Sequence, residues 1–239
     1  MCAEYGLDGI ERIEPAPART GSGSSVRFRP IAPLDEEHAR ELLNGWHREQ
    51  RGRARITGRL ARNLNPVVVA PSGRRELRLG WWWLHSGGAP AEYSAFNSRD
   101  DRLLRSWREP FQRRALLPAS WYVEKGRRFA LPHGEHFGIA AITTPVRQPD
   151  GAELLSYSMV TRAAVGGAAA VHHRMPLVLP AELHDEWLDA ARPGDAGLVS
   201  RAILASTAIS GEFGVAEHHG AAAPRSGAAE PPAAQPTLF

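Results

Sequence analysis

The sequence predicts a single α+β domain in which short strands predominate. Its 239 residues suit one principal domain, since roughly 100–200 residues per domain is usual and strand-rich domains often run longer. From about residue 66 onwards, short apolar and β-branched runs alternate with turn sequences such as Pro71–Gly73 and Pro149–Gly151. Apolar residues at helical spacing occur mainly before residue 66 and after about residue 160. We therefore predict a strand-rich mixed domain over residues 1–213, with peripheral helices.

The first elements are an irregular connection and a helix. Residues 14–33 are rich in Pro, Gly, Ser and Arg, which favours irregular structure. A helix is then predicted from an apolar stripe formed by Leu34, Ala39, Leu42, Leu43 and Trp46. Strands follow at Val67–Val69, Leu77–Leu84, Ala115–Leu117, Trp121–Val123, Arg127–Leu131, Phe137–Thr143 and Leu154–Val160.

The last third of the domain is predicted to mix helices with one strand. Short helices are expected at Ala163–Ala170, Pro180–Leu188 and Leu198–Ala205, and a strand at Met175–Leu179. Residues 214–239 are mostly Ala, Pro, Gly and Ser. Because such a composition buries too little apolar surface to offset the entropy of ordering, we expect a flexible tail there.

The basic residues are almost all arginines. The formal net charge is +3, and Lys125 is the single lysine among 29 basic side chains. Arginine presents a planar fork of donors that suits phosphate, which favours a nucleic-acid partner. A GC-rich genome would produce the same bias without any functional meaning, so composition leaves both explanations open.

Targeting signals and cysteine content indicate a cytoplasmic protein. The N-terminus lacks the basic start and apolar stretch of a signal peptide, and no run of about 18 apolar residues occurs. We therefore expect a cytoplasmic monomer without a membrane partner, associated with the nucleoid when it binds DNA. Cys2 is the only cysteine, which excludes an internal disulfide and an all-cysteine zinc site.

The position of Cys2 indicates its chemistry. Removal of Met1 would leave Cys2 as the N-terminal residue, with a free α-amine beside its thiol. An aldehyde condenses with the amine to an imine, and the thiolate then adds to the imine carbon. The product is a five-membered thiazolidine ring that resists hydrolysis better than a simple imine.

Several segments together resemble one known family, the SOS response-associated peptidases that process abasic sites. The order and approximate spacing of these segments match from residue 1 to about 190. They are Met1-Cys2, Asn63–Pro66, Asn97-Ser98-Arg99 (similar to Asn-Ala-Arg), Pro118–Glu124 (similar to Pro-Ala-Ser-Gly-Trp-Tyr-Glu) and His172–Pro176 (close to His-x-Arg-Met-Pro).

The resemblance implies a β-rich α+β fold and a positively charged cleft for single-stranded DNA. It also implies covalent capture of abasic sites through Cys2. Glu124 matches the family glutamate, an acid/base that promotes opening of the deoxyribose. His172 matches the family histidine near the sugar and phosphate. Asn97 would orient the terminal amine or thiol, and Arg99 would hold the phosphate next to the lesion.

Two further residues are candidates for DNA contact. Arg174 faces either a phosphate or an internal ion-pair partner, and the sequence leaves both open. Trp81, Trp82 and Trp83 alternate across a predicted strand, so one face belongs to the core and the other can stack an unpaired base. Because Trp82 faces opposite to its two neighbours, we predict Trp82 as the stacking platform.

The sequence departs from the family pattern at two places. Ala3-Glu4 replaces the usual Gly-Arg after the cysteine, and Lys125 replaces the aromatic residue after the glutamate. These changes affect the positioning of the terminus and part of the pocket wall. They remove no group that the chemistry needs.

Three other kinds of function fit parts of the sequence. A zinc hydrolase is suggested by ten histidines, but adjacent histidines on a strand point to opposite faces and no HExxH spacing occurs. We therefore predict no metal and no cofactor. A lyase that forms a Schiff base would use Lys125. A non-covalent nucleic-acid-binding module would explain the arginine bias. How Met1 is removed, by self-cleavage or by an aminopeptidase, stays open.

The C-terminal residues resemble a docking peptide. The last five residues contain Gln235, Leu238 and Phe239 in a Gln-x-x-Leu-Phe pattern, which bacterial repair proteins use to bind the DNA polymerase sliding clamp. A flexible tail would tether this peptide at high effective concentration. The sliding clamp is therefore a predicted partner.

Overall fold

The computed structural model of the protein describes residues 2–9, 36–148 and 151–216. The α-helices are α1 (Glu36–Gln50), α2 (Gly166–Ala169), α3 (His184–Leu188) and α4 (Ala196–Gly211). The strands are β1 (Glu4–Gly6), β2 (Arg53–Arg55), β3 (Leu64–Val69), β4 (Glu76–Trp82), β5 (His85–Ser86), β6 (Ala89–Pro90), β7 (Asn97–Arg99), β8 (Arg114–Ala119), β9 (Trp121–Glu124), β10 (Arg127–Ala130), β11 (Phe137–Arg147), β12 (Glu153–Ala163), β13 (Arg174–Pro176), β14 (Val178–Leu179) and β15 (Gly214–Ala216). The predicted α+β class, with strands predominant, is confirmed.

A closed ring of five strands forms the centre of the fold. The order is β12-β4-β3-β8-β11, and β11 pairs with β12 to complete the circle. All these pairings are antiparallel except the one between β12 and β4. Closure removes exposed sheet edges, and the interior takes the apolar side chains that alternate along each strand. Most of the strand-rich patterning between residues 66 and 160 therefore corresponds to this barrel, whereas the predicted strands Trp121–Val123 and Arg127–Leu131 belong to a second sheet.

A second sheet carries the N-terminus. Its order is β15-β10-β9-β1-β2, so β1 is paired on both sides. Gly6 is required in β1, because a Cβ there would lie 2.1 Å from the ring of Trp121 and 2.6 Å from the carbonyl oxygen of Gly52. Strands β9 and β10 are joined by Lys125 and Gly126, both with positive φ (50° and 75°), as a tight type I′ hairpin turn requires.

The long strand β12 organises the region beside the second sheet. Near its C-terminal end it pairs with β7 in parallel and with β13 in antiparallel orientation. The predicted strand Met175–Leu179 is two strands, because the chain moves from β12 to β11 at Leu177. The Leu177 amide donates to the Val160 carbonyl, and the Leu177 carbonyl accepts from the Ala140 amide.

The end of the described chain differs from the sequence-based expectation. Gly214–Ala216 do not begin the tail but form β15, which pairs with Arg128–Ala130 of β10. The predicted clamp-binding residues Gln235, Leu238 and Phe239 lie outside the described residues. Among the helices that the structure describes, none combines the length and apolar composition that a transmembrane segment needs.

Candidate functional site

Cys2 lies two residues before the start of β1, next to the end of β9. The register pairs Glu4 with Val123 and Tyr5 with Tyr122, which directs the chain before Glu4 towards Glu124. Cys2 is almost fully buried, with 1% of its surface exposed. Its Sγ donates a hydrogen bond to the carbonyl oxygen of Glu4 at 3.3 Å. The thiol is therefore held inside the fold.

Burial keeps the Cys2 thiol protonated. Desolvation raises the pKa of Cys2 from its ordinary value of 9.0 to about 12, and the negative charge of Glu124 adds to the increase. Contacts with the backbone at Glu4 and Val123 act in the opposite direction. A thiolate at this position needs a base to take the proton and donors to stabilise the charge.

Glu124 is the last residue of β9, directly before the hairpin turn. Its side chain is 4% exposed. The turn fixes the strand end, so the carboxylate faces the buried side of the sheet. Glu124 acts electrostatically on the Cys2 thiol, and its Oε1 lies 3.7 Å from Nδ1 of His172. The structure thus brings together the three residues that the sequence analysis assigned to acid/base and nucleophilic chemistry.

His172 lies in the segment that leads into β13. Its Nδ1 is 3.1 Å from both the backbone nitrogen and the backbone oxygen of Arg174. In the neutral ring with the proton on Nε2, Nδ1 accepts the Arg174 N–H. When Nδ1 carries the proton, it donates to the carbonyl or towards Glu124. His172 can therefore exchange a proton without losing its position.

Asn97 connects β7 to the N-terminal segment. Its Nδ2 donates to the carbonyl oxygen of Cys2 at 2.6 Å. Its Oδ1 is buried and has no hydrogen-bond partner in the part of the chain that the structure describes. Buried acceptors are rarely left unsatisfied. Oδ1 is therefore available to a donor such as the α-amine of Cys2.

A buried phenol lies beside these groups. Tyr122 is fully buried on β9, on the same face of the strand as Glu124. Its hydroxyl likewise has no hydrogen-bond partner among residues 2–9, 36–148 and 151–216. Burial, and then the charges of Cys2 and Glu124, raise the pKa of Tyr122, so the phenol stays a hydrogen-bond donor.

Arg99 lies at the exposed end of β7 and is held by a carboxylate. Its Nε and Nη2 donate to Oδ1 and Oδ2 of Asp101 at 2.9 and 2.6 Å. The hydrogen bonds between the two side chains raise the pKa of Arg99 and lower that of Asp101. About half of each side chain is exposed (51% and 50%). The fork has the geometry for a phosphate, and Asp101 occupies it.

Arg174 is an internal ion-pair partner. Its side chain is 10% exposed, and Nη2 lies 2.5 Å from Oδ1 of Asp100. The same nitrogen donates to the backbone and side-chain oxygens of Thr161 on β12. Of the two alternatives that the sequence left open, the structure favours the internal one, because the guanidinium is turned into the protein. The predicted contact of Arg174 with DNA is not supported.

Trp82 belongs to the core, which corrects the predicted base-stacking platform. It is 1% exposed and stacks on Tyr157 at 6.0 Å with an interplanar angle of 8°. Its Nε1 donates to the Phe96 carbonyl at 2.8 Å. The alternation along the strand was predicted, but the face that carries Trp82 is the one directed into the barrel. Trp81, on the opposite face, is only partly buried.

The structure gives less support to the two alternative sites, a Schiff-base lysine and a metal centre. Lys125 is exposed at the tip of the hairpin, whereas a lysine that forms a Schiff base is usually activated by desolvation or a neighbouring cation. Within the described ranges, no three His, Cys, Asp or Glu side chains are placed to hold a metal ion.

Sequence reasoning missed the partners of the two arginines and the buried phenol. Asp100 and Asp101 directly follow Arg99, and this adjacency was the available signal for the Arg99 pair. Nothing local indicated that Asp100 would reach Arg174, which is 74 residues away along the chain. The Tyr122 hydroxyl is notable only because it has no hydrogen-bond partner among the described residues, and no sequence pattern records this.

Comparison with known proteins agrees with this fold. The chain is similar to a protein of solved structure from Bacteroides thetaiotaomicron, with 18% identity, a TM-score of 0.56 and coverage of 84% of this chain and 86% of that chain. A second solved protein, from Bordetella bronchiseptica, gives 19% identity, a TM-score of 0.54 and coverage of 81% and 90%. At these identities the likeness shows the fold alone. No curated protein matched the sequence significantly.

A family profile matches most of the domain. The profile described as SOS response associated peptidase (SRAP) matches residues 34–210, which includes Asn97, Glu124 and His172. More than half of the chain is therefore aligned with one family. The chain belongs to the SOS response associated peptidase (SRAP) family.

Proposed function

We propose that the protein captures abasic sites in single-stranded DNA by a covalent bond to Cys2. Membership of the family associates the chain with the SOS response to DNA damage and with DNA. The observation that carries the finer proposal is the convergence of Cys2, Asn97, Glu124 and His172, which come from four separate segments. An aminothiol, a carboxylate and an imidazole together are what aldehyde capture requires.

The reaction follows from the groups present once Met1 is removed. The α-amine of Cys2 attacks the aldehyde of the opened deoxyribose, and loss of water leaves an iminium ion. Glu124 serves as the acid/base in ring opening and then takes the thiol proton. The sulfur forms a bond to the iminium carbon, and the electron pair of the C=N bond passes to nitrogen. The product is a neutral thiazolidine.

The other groups hold the reactants. Asn97 fixes the Cys2 carbonyl with Nδ2, which leaves its buried Oδ1 for the α-amine. His172 accompanies Glu124 at 3.7 Å and can relay a proton to the sugar. Arg99, released from Asp101, binds the phosphate next to the lesion. Removal of Met1 by Cys2 with Glu124 or His172, or by an aminopeptidase, prepares the terminus.

Intact mass spectrometry tests the proposal directly. The purified protein is weighed before and after incubation with single-stranded DNA that carries one abasic site. We expect loss of Met1, followed by a heat-stable adduct whose mass equals protein plus DNA minus one water. DNA with a tetrahydrofuran site, which lacks the aldehyde, should give no adduct.

Two variants separate the competing functions. Cys2→Ser keeps the amine but should give only an imine that must be trapped by reduction. Lys125→Arg should form the adduct at the wild-type rate, whereas a lysine-dependent lyase would lose it. If the wild-type protein releases all its DNA on a denaturing gel, the chain is a non-covalent binding module and the proposal is wrong.

A further inference from the structure

The hydroxyl of Tyr122 has no hydrogen-bond partner in the described part of the resting fold. Its ring is stacked on Phe129 at 5.1 Å and meets Phe213 edge-on at 5.3 Å, so the ring alone would fill the space. A buried hydroxyl without a partner lowers stability, and each such group calls for a physical reason. Nothing in the described residues accepts its hydrogen.

The hydrogen bond that the Cys2 thiol makes in the resting state explains why the Tyr122 hydroxyl does not donate to the sulfur. Cys2 Sγ–H donates to the carbonyl oxygen of Glu4 at 3.3 Å. Once the proton leaves, the sulfur can no longer donate, and a thiolate facing a carbonyl oxygen is repelled by it. The sulfur then gains most by turning towards a nearby O–H or N–H donor.

The backbone at Glu4 and Val123 already favours the thiolate, and the titratable side chains around Cys2 leave one candidate for a further donor. They are Glu124 and Tyr122 on β9 and Tyr5 on β1, with His172 against Glu124. Glu124 is an acceptor when ionised, and the hydroxyl of Tyr5 shares a hydrogen bond with Tyr157 at 2.7 Å. Tyr122 lies on β9 opposite Tyr5 of β1, and its hydroxyl is the one in this group that is uncommitted within the described chain.

We propose that Tyr122 is a positioning residue that donates its hydroxyl hydrogen to the Cys2 sulfur when the thiolate forms. This inference rests on the proposed function. Tyr122 keeps its proton throughout, while the thiol proton passes to Glu124 and the sulfur electron pair forms the bond to carbon. The hydrogen bond stabilises the charge and aims the sulfur.

Tyr122→Phe tests the role, because it removes the oxygen and keeps the ring. The full-length protein is treated with iodoacetamide across a pH series, and modification of its single cysteine is followed by intact mass. We expect the pH–rate profile to move to higher pH, with alkylation at a fixed mildly alkaline pH slower by about tenfold, as the loss of one hydrogen bond to a charged group implies. The adduct with abasic DNA should form about tenfold more slowly as well.

Stability provides the distinguishing readout. Removal of an unsatisfied hydroxyl should raise the Tm of Tyr122→Phe while reactivity falls. The matched control is Ser206→Ala, which removes a buried hydroxyl that is hydrogen-bonded to Ser210 within α4. This control should lower the Tm and leave the alkylation profile unchanged.

The outcomes divide clearly between this inference and the function on which it rests. An unchanged alkylation profile in Tyr122→Phe, or a lowered Tm with a proportional loss of reactivity, overturns the role of Tyr122. A wild-type protein that forms no adduct overturns abasic-site capture, and the alkylation series still decides whether Tyr122 stabilises the thiolate.

Discussion

The side-chain amide of Asn97 holds the backbone of Cys2: Nδ2 donates to the Cys2 carbonyl oxygen at 2.6 Å. Asn97 begins β7, which is anchored through Met159 of β12 to the barrel. A short terminal segment is usually mobile unless it is tied down. This bond, together with the pairing of β1, places the reacting residue against a rigid strand.

We expect Asn97→Ala to slow adduct formation by at least about tenfold, because the near-attack geometry of the amine and thiol is lost. Asn97→Asp discriminates between the two ends of the amide. It cannot donate to the Cys2 carbonyl, but it retains an acceptor for the α-amine. Quenched-flow measurement of adduct formation ranks the three proteins.

Ser98→Ala is the matched control for Asn97. Ser98 lies in the same strand as Asn97. The substitution removes its buried hydrogen bond to the Ser158 hydroxyl of β12, at 2.7 Å, without touching Cys2. It should lower stability by about 1 kcal/mol and leave the adduct rate unchanged. If Ser98→Ala slows the reaction as much as Asn97→Ala, then Asn97 acts through the strand as a whole.

Glu124→Gln should separate chemistry from binding. The amide keeps the shape of the buried side chain but cannot take the thiol proton, so we expect adduct formation to fall by about 100-fold or more. Affinity for abasic single-stranded DNA, measured by fluorescence anisotropy with a non-reactive tetrahydrofuran site, should stay within a factor of about two. A parallel loss of affinity and rate would instead assign Glu124 a structural role.

Stability at acid pH should depend on His184. Its ring is buried and Nε2 lies 2.9 Å from the Leu179 carbonyl oxygen; burial is the main cause that lowers the pKa of His184 from 6.5 to about 4. The unfolded chain therefore takes up a proton below pH 6.5 that the folded protein refuses until about pH 4. The stabilisation is complete above pH 6.5 and is lost as the pH falls towards 4.

The expected loss is about 3 kcal/mol of unfolding free energy over that interval. Urea unfolding at pH 7, 5.5 and 4.5 measures it. His184→Gln, which can still donate to the carbonyl of Leu179, should show a shallower pH dependence than the wild type. Equal slopes for both proteins would mean that other groups cause the acid sensitivity.

The sequence predicted the barrel better than the site. The barrel strands are rich in apolar residues and are bounded by turn sequences, so hydrophobic periodicity and the turn residues locate them. Strands β1 and β7 have only three residues each and carry Gly, Ser and charged side chains, which no propensity identifies. Both are strands because neighbouring strands pair with them. β7 carries Asn97, and β1 holds the segment that begins with Cys2.

The sequence also could not predict which face of a strand points into the barrel or which distant side chain pairs with an arginine. Alternation of Trp81, Trp82 and Trp83 is local and was predicted, but the face directed inward depends on closure of β12 onto β4. The partner of Arg174 depends on the approach of Asp100, which tertiary structure alone provides. In contrast, the residues identified by family motif, Asn97, Glu124 and His172, lie together near Cys2, because a motif preserves spatial information that periodicity lacks.

Arg99 and Asp101 should show opposite effects on DNA binding. The exposed guanidinium is engaged by the Asp101 carboxylate through two hydrogen bonds, at 2.9 and 2.6 Å. A DNA phosphate must displace that carboxylate to make the same bidentate contact. Because exposed ion pairs are weak, displacement is feasible, and removal of the competing carboxylate should favour DNA.

We expect Asp101→Asn to bind single-stranded DNA about two- to fivefold more tightly, and Arg99→Ala to bind more weakly with a salt slope smaller by about 0.7. Anisotropy titrations from low to physiological salt give both quantities. The double variant Arg99→Ala/Asp101→Asn is the control: without the arginine, the asparagine should no longer increase affinity beyond the general effect of one removed negative charge. If Asp101→Asn instead weakens binding, the carboxylate orients Arg99 for the phosphate rather than competing with it, and an unchanged salt slope in Arg99→Ala would exclude the phosphate contact altogether.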